Sequence, residues 1–219
     1  ALQDPAFEGC WNVQDSGNSM RLRPTIVVLA AGRGSRFHGA TPKLEQPPGD
    51  STVLGCTLAR AIETGCPVVV VTIAPLVPLC GTLLAKRDVI VLSDTEARRG
   101  VGHTIACGVA ERPASPGWLV QPGDMPMVRP ASSLAVADAL AEHPVACTQY
   151  HGRRGHPVGF SSELYSELIA LDGDDGARRL VARYPAHGAE VDDPGVLVDI
   201  DTVEDLAALR RGGLALRTG

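Results

Sequence analysis

The sequence predicts an α/β fold of three layers, with helices on both faces of a mainly parallel, mixed sheet. Two observations point to it. Short runs rich in Val, Ile and Leu recur at 25–30, 67–73, 88–92, 118–121 and 145–150. Each is continuously apolar rather than alternating, the mark of a strand covered on both faces. Longer amphipathic stretches at 52–64, 76–86, 102–111 and 131–142 separate these runs. Strand–helix alternation of this kind builds βαβ units and parallel strands.

The elements follow in order. The first strand, 25–30, runs straight into a glycine-bearing turn. Helix 52–64 leads to strand 67–73, helix 76–86 to strand 88–92, and helix 102–111 to strand 118–121. Pro130 and Pro144 bracket helix 131–142, and strand 145–150 follows. The last third is less regular. It predicts a short strand at 158–160, helices at 162–171 and 176–184, a strand at 196–200 and a helix at 202–211. Thr202 and Asp205 resemble a capping box with Asp in place of the usual Glu or Gln. Neither an internal repeat nor a linker divides the chain, so 24–211 reads as one domain. Residues 1–23 read as an N-terminal extension, either disordered or a cloning remnant, with Met20 a natural start and a packed arm the alternative. Residues 212–219 read as a C-terminal tail.

Composition narrows the function classes. The chain has 219 residues, 44% of them hydrophobic and 21% charged, which excludes a disordered protein. Twenty basic against 25 acidic residues leave a net charge of −5, and aromatics are only 4%. A protein built on nucleic-acid phosphates carries the opposite charge, and one that stacks bases needs more rings, so no nucleic-acid partner is expected. A small phosphorylated ligand needs only a local basic site. No apolar run approaches 18 residues, so no membrane span is expected. The six cysteines, at 10, 56, 66, 80, 107 and 147, lack metal-site spacing. Several lie among apolar residues, and together they read as reduced thiols of a cytoplasmic protein.

Ligands of such sheets bind beyond the carboxyl ends of the strands, so the loops there carry the functional signal. The first reads Leu29-Ala30-Ala31-Gly32-Arg33-Gly34-Ser35-Arg36, with Pro42-Lys43 five residues further on. Glycines let backbone amides approach a phosphate, small alanines keep the turn thin, and Arg33, Arg36 and Lys43 add charge. The bland alternative is a tight β–α turn with solvated basic residues. Neither the P-loop, which needs G-x4-G-K-S/T, nor the dinucleotide fingerprint fits, since Phe37 stands where the latter needs its third glycine.

The pattern L-A-A-G-x-G-S/T-R, five residues, then Pro-Lys, resembles the signature of nucleotidyltransferases with a GT-A-like Rossmann core. The resemblance implies a Rossmann-like sheet of the nucleotide-diphospho-sugar transferase type. It also implies loop amides of Leu29 to Ser35 around the triphosphate, and neutralisation of that triphosphate by Arg36 and Lys43. Gly123-Asp124-Met125-Pro126, after the fourth strand, is similar to the metal-binding loop of the MobA-like branch, the molybdopterin nucleotidyltransferases. By that resemblance Asp124 is a catalytic metal ligand for Mg²⁺ and Gly123 borders the nucleotide. An acidic residue just past a central strand is also where a divalent cation would sit on physical grounds, and a turn cap is the alternative.

Three later motifs resemble the molybdenum cofactor cytidylyltransferases of that branch. Asp199-Ile200-Asp201-Thr202 resembles D-I-D-T-P-E-D with Val203 in place of Pro. Asp199 is then the second metal ligand and Asp201 a helix N-cap. Gly155-His156-Pro157 with Arg154, and Arg178 of Asp174-Asp175-Gly176-Ala177-Arg178, fall in the acceptor half. Arg178 either reaches an acceptor phosphate or pairs with the aspartates. Gly100 and Thr104 match the family's approach to base and ribose, although a glycine-bearing helix start explains much of that segment. The resemblance implies Mg-dependent transfer of CMP or GMP from CTP or GTP to a phosphorylated acceptor, with molybdopterin favoured and a molybdoenzyme as a further partner. The step from Arg36 to Lys43 matches the sugar-phosphate nucleotidyltransferases instead, which keeps a sugar- or alcohol-phosphate acceptor open. A non-catalytic nucleotide-binding paralogue is the rival from another class.

Overall fold

A computed structural model describes residues 22–32, 43–45 and 51–210. The N-terminal extension, most of the basic loop and the C-terminal tail lie outside them. Seven strands form one sheet in the order β3-β2-β1-β4-β6-β5-β7. β1 (Thr25–Ala30) lies between β2 (Val68–Ile73) and β4 (Gly117–Pro122), with β3 (Val89–Leu92) beyond β2, all parallel. β6 (Arg153–Ser161) runs antiparallel to both β4 and β5 (Val145–Tyr150). β7 (His187–Glu190) closes the sheet parallel to β5.

The unbroken apolar runs are explained by two cores. Ile26, Val28 and Ala30 point to the face covered by α1 (Val53–Glu63), α5 (Pro130–Ala139) and Leu206 of α8 (Val203–Arg210). Val27 points to the face covered by α4 (Val101–Ala110), α6 (Tyr165–Ile169) and Leu180 of α7 (Arg178–Arg183). Both faces of β1 are dry, so no polar alternation survives in its sequence.

Several expected elements differ. The helix expected at 76–86 is α2, only Val77–Cys80, flanked by 3-10 turns at Ala74–Leu76 and Lys86–Asp88. Pro75 and Pro78 lack the N–H donors that a long helix needs, and both sit at helix starts. α3 (Asp94–Ala97), closed by a Ser93/Glu96 capping box, was not expected. The strand expected at 196–200 is instead a 3-10 turn, Pro194–Leu197. Its apolar residues are buried, but in different places: Val196 packs with Met125 and Val128, and Ile200 joins the α1 face. The short strand expected at 158–160 is the last part of the nine-residue β6. β6 and β5 are joined through His151-Gly152, both at positive φ (+48° and +75°), the backbone of a tight two-residue hairpin. β7 was missed because its residues, His-Gly-Ala-Glu, are those of a short polar margin strand.

Two carboxylates do structural work at helix starts. Thr202 caps α8, its Oγ1 accepting from the Asp205 N–H (3.1 Å), while the Asp205 carboxylate accepts from the Thr202 N–H (2.8 Å). The capping box is as expected, and the cap is Thr202 rather than Asp201. Asp193, 2% exposed, accepts from the Arg129 N–H (2.8 Å), Ser132 Oγ (2.7 Å) and the Gly195 N–H (2.9 Å). It thereby ties the start of α5 to a segment 64 residues away in sequence, bonding the N-cap amide of Arg129 and the side chain of Ser132.

Candidate functional site

A cavity of about 590 Å³ opens at the carboxyl ends of the parallel strands. That size and position suit a small ligand in an open α/β sheet. Six residues singled out from sequence line it: Leu29, Ala31, Gly32, Gly100, Thr104 and Asp124. They come from three separate segments, the end of β1 and its turn, the start of α4, and the loop after β4.

The first two loops are stitched together. The Gly123 N–H donates to the Leu29 carbonyl (2.8 Å), and Thr57 Oγ1 of α1 donates to the Gly123 carbonyl (3.0 Å). A side chain at Gly123 would meet the Leu29 carbonyl oxygen at 2.9 Å. Gly123 therefore lets the Asp124 loop lie against the end of β1. Ala30 is buried in the α1 core rather than facing the cavity. Arg33, Gly34, Ser35 and Arg36 lie outside the described residues. Lys43 opens the 3-10 turn Lys43–Glu45, whose Leu44 and Glu45 also line the cavity.

Asp199 is brought to Asp124 from 75 residues away. The Ile200 N–H donates to the Asp124 backbone carbonyl (3.0 Å), and Met125, Val128 and Val196 pack into a small apolar cluster that ties the same two segments. Partial burial pushes the Asp199 carboxyl above its ordinary range, and the nearby charges of Asp201 and Asp124 push the same way. Crowded carboxylates of this kind are relieved by a cation, and their hard oxygen donors suit Mg²⁺ or Mn²⁺. Among the described residues no group of three or more His, Cys, Asp or Glu forms a metal-ligand set. Two carboxylates fit an ion that completes its shell with phosphate oxygens and water.

The acceptor residues expected from sequence are not brought together. His156 belongs to β6 rather than to a loop, and it stands beside Asp124. Burial pushes its imidazole below the usual histidine range, and the Asp124 carboxylate opposes that shift. Its Nδ1 is buried without a hydrogen-bond partner among the described residues. Thr148 Oγ1 donates to the His156 carbonyl (2.9 Å) and holds this part of β6. Arg154 instead reaches back to the Ala186 carbonyl (3.5 Å). Arg178 opens α7 and is exposed, and the aspartate pairing left open for it is made by its neighbour, Arg179 to Asp175 (2.8 Å).

Sequence reasoning missed part of the cavity wall. Ile73, Pro75 and Leu76 supply an apolar side beyond β2, and Arg98 and Asp174 supply opposite charges near the start of α4. Asp174 could have been found only in part: its motif was noted, but for Arg178.

Comparison with known proteins places this geometry in context. The model of the MobA-like NTP transferase domain matches residues 26–189. Rv0371c of Mycobacterium tuberculosis has a similar structure, with a TM-score of 0.73 and 33% identity over 86% of this chain and 97% of that one. A structure of Rv0371c in complex with manganese matches with a TM-score of 0.70 and 30% identity, over 86% of this chain and 98% of that one. The purine catabolism protein PucB of Bacillus subtilis is 35% identical over 53% of this chain and 58% of its own length. The bifunctional protein GlmU of Gloeobacter violaceus is 26% identical over 74% of this chain and 34% of its own length. The chain thus spans little more than half of the first curated relative and about a third of the second.

Proposed function

The chain belongs to the MobA-like NTP transferase family, and from that premise we propose that it transfers CMP or GMP from a magnesium-bound NTP to molybdopterin with release of pyrophosphate. One observation carries the reading. Asp124 and Asp199 converge past β4, and Asp124 lines the cavity together with Gly32 of the phosphate-type loop. An acidic metal end and an amide-rich end then share one space.

In this reading the acceptor phosphate attacks the α-phosphate in line and pyrophosphate leaves. Positioning and charge neutralisation do most of the work. Asp124 and Asp199 would hold the divalent cation, whose chemistry is to neutralise charge at the α-phosphate. Manganese in the Rv0371c complex supports divalent-metal use in a relative. The backbone of Leu29 to Gly32, with Arg33, Gly34, Ser35, Arg36 and Lys43, cradles the triphosphate. No general base is needed, because a phosphate nucleophile is already ionised at neutral pH. His156 faces Asp124 and is the best-supported acceptor residue; Arg154 and Arg178 would have to turn inward. Free thiols at Cys56, Cys66, Cys80, Cys107 and Cys147 support a cytoplasmic protein. Among the described residues no helix is long and apolar enough to cross a membrane.

The spacing of Arg36 and Lys43, which resembles that of the sugar-phosphate nucleotidyltransferases, favours a sugar or alcohol phosphate as the second reading. The test is pyrophosphate release from CTP and GTP with Mg²⁺, offered molybdopterin, sugar phosphates or alcohol phosphates in turn. Turnover with molybdopterin alone is the expected result. Turnover with another phosphate reassigns the acceptor. Nucleotide binding with no turnover on any acceptor makes the chain a non-catalytic paralogue that serves a molybdoenzyme.

A further inference from the structure

The cavity has a second charged end. Asp174, from the loop between α6 and α7, lines it near Gly100 and Thr104. Three carboxylates share that loop. Asp172 is held by Arg99 (3.2 Å) and Asp175 by Arg179 (2.8 Å), whereas Asp174 makes no ion pair among the described residues. The loop is docked in place. The Gly173 N–H donates to the Arg99 carbonyl (2.9 Å), and the Gly173 carbonyl accepts from the Gly102 N–H (2.9 Å). Gly100, at φ +95°, makes this approach possible: a side chain there would lie 2.5 Å from the Gly173 carbonyl and 2.6 Å from the Asp174 carboxylate. The Asp174 carboxylate therefore sits over the first turn of α4.

Its place along the cavity decides what it meets. Asp124 follows β4 and Ile73 ends β2, with β1 between them. Two strand spacings amount to about 10 Å. With the α-phosphate near Asp124 and the base against Ile73, Pro75 and Leu76, the sugar lies between, over β1. The first turn of α4 lines the cavity here through Gly100, Val101 and Thr104. A carboxylate repels phosphate and accepts hydrogen bonds from hydroxyls.

We infer that Asp174 is a specificity-determining residue that accepts hydrogen bonds from the ribose hydroxyls of the bound nucleotide, so that the chain selects ribonucleotides over deoxyribonucleotides. The inference rests on the nucleotide-transfer reading. The test is calorimetric titration of the full chain, in Mg²⁺, with CTP, GTP and their 2′-deoxy and 3′-deoxy forms. Wild type should bind at least one deoxy form about tenfold or more weakly than its parent, the usual size of a charge-assisted hydrogen bond. Asp174→Ala should bind parent and deoxy forms within about twofold of each other. Asp175→Ala, which loses only its exposed pair with Arg179, should keep the wild-type ratio. Discrimination retained in Asp174→Ala overturns the inference, as does a change in preference between CTP and GTP with the deoxy ratio intact. If wild type binds no nucleotide at all, nucleotide transfer itself fails, a result distinct from either of these.

Discussion

The parallel half of the sheet, β3-β2-β1-β4, and the antiparallel half, β6-β5-β7, serve one site by different means. In the parallel half the backbone leads. Strands end at one level, and segments after β1, β2, β3 and β4 wall the cavity, with Gly32, Gly100 and Gly123 leaving main-chain groups close to it. In the antiparallel half a side chain leads. β6 extends past the end of β4 and delivers His156 from within a strand to a place beside Asp124. The difference teaches that a parallel layer offers a row of amide-lined strand ends, whereas a returning hairpin is needed to carry a side chain over them.

The largest expected effect is at the junction of the halves. Asp124→Ala should lower turnover by roughly 10²–10³-fold, the usual cost of one electrostatic contact to the reacting group, with an unchanged melting temperature. Near-full Mg-dependent turnover in the steady-state assay would remove Asp124 from the chemistry.

Asp193→Ala tests how the antiparallel half is anchored. It leaves the Arg129 and Gly195 N–H groups and the Ser132 hydroxyl without their acceptor, at a cost of about 2 kcal/mol. Urea unfolding should show a lower midpoint with an unchanged slope. An unchanged midpoint would mean that the two segments hold together without this carboxylate.

A smaller effect, about tenfold in turnover, is expected for His156→Gln, comparable to the loss of one hydrogen bond. The binding constant for NTP should stay as in wild type. Weakened NTP binding would show that the antiparallel half also holds the nucleotide, and the comparison would have to be redrawn.

The smallest effect is at Asp172. An exposed pair contributes little, so Asp172→Asn should change nucleotide affinity by no more than about twofold. The hydrogen bond from Arg99 holds the Asp172 carboxyl below the ordinary carboxylate range. Whatever the pair adds is therefore present at neutral pH and is lost on acidification through that lowered value. Affinity measured across an acid titration, wild type against Asp172→Asn, checks this.

What could be read from sequence follows the same division. β1, β2 and β4 were legible because burial on both faces demands unbroken Val, Ile and Leu. The Leu29–Gly32 turn and the Gly123-Asp124 loop were legible because close backbone approach demands small residues. β6 was legible only at Val158 and Phe160. Its other half, Arg153 to Pro157, carries the polar and glycine residues of a loop. β7 is too short and too wet to leave a pattern. Val196 and Ile200 misled because their apolar character reflects burial in two separate clusters rather than a strand. Asp174 in the cavity depends on a loop landing on α4 from more than 70 residues away, which no local pattern records.

The hydrogen bond from the Ile200 N–H to the Asp124 carbonyl gives the site a chronology. Asp124 is synthesised early, but its partner segment arrives some 75 residues later, so no shorter N-terminal portion of the chain can present both carboxylates. A cation and nucleotide bound there would bridge β4 to the stretch before α8. Binding free energy would then be felt as slowed amide exchange across α8, whose own residues do not touch the ligand.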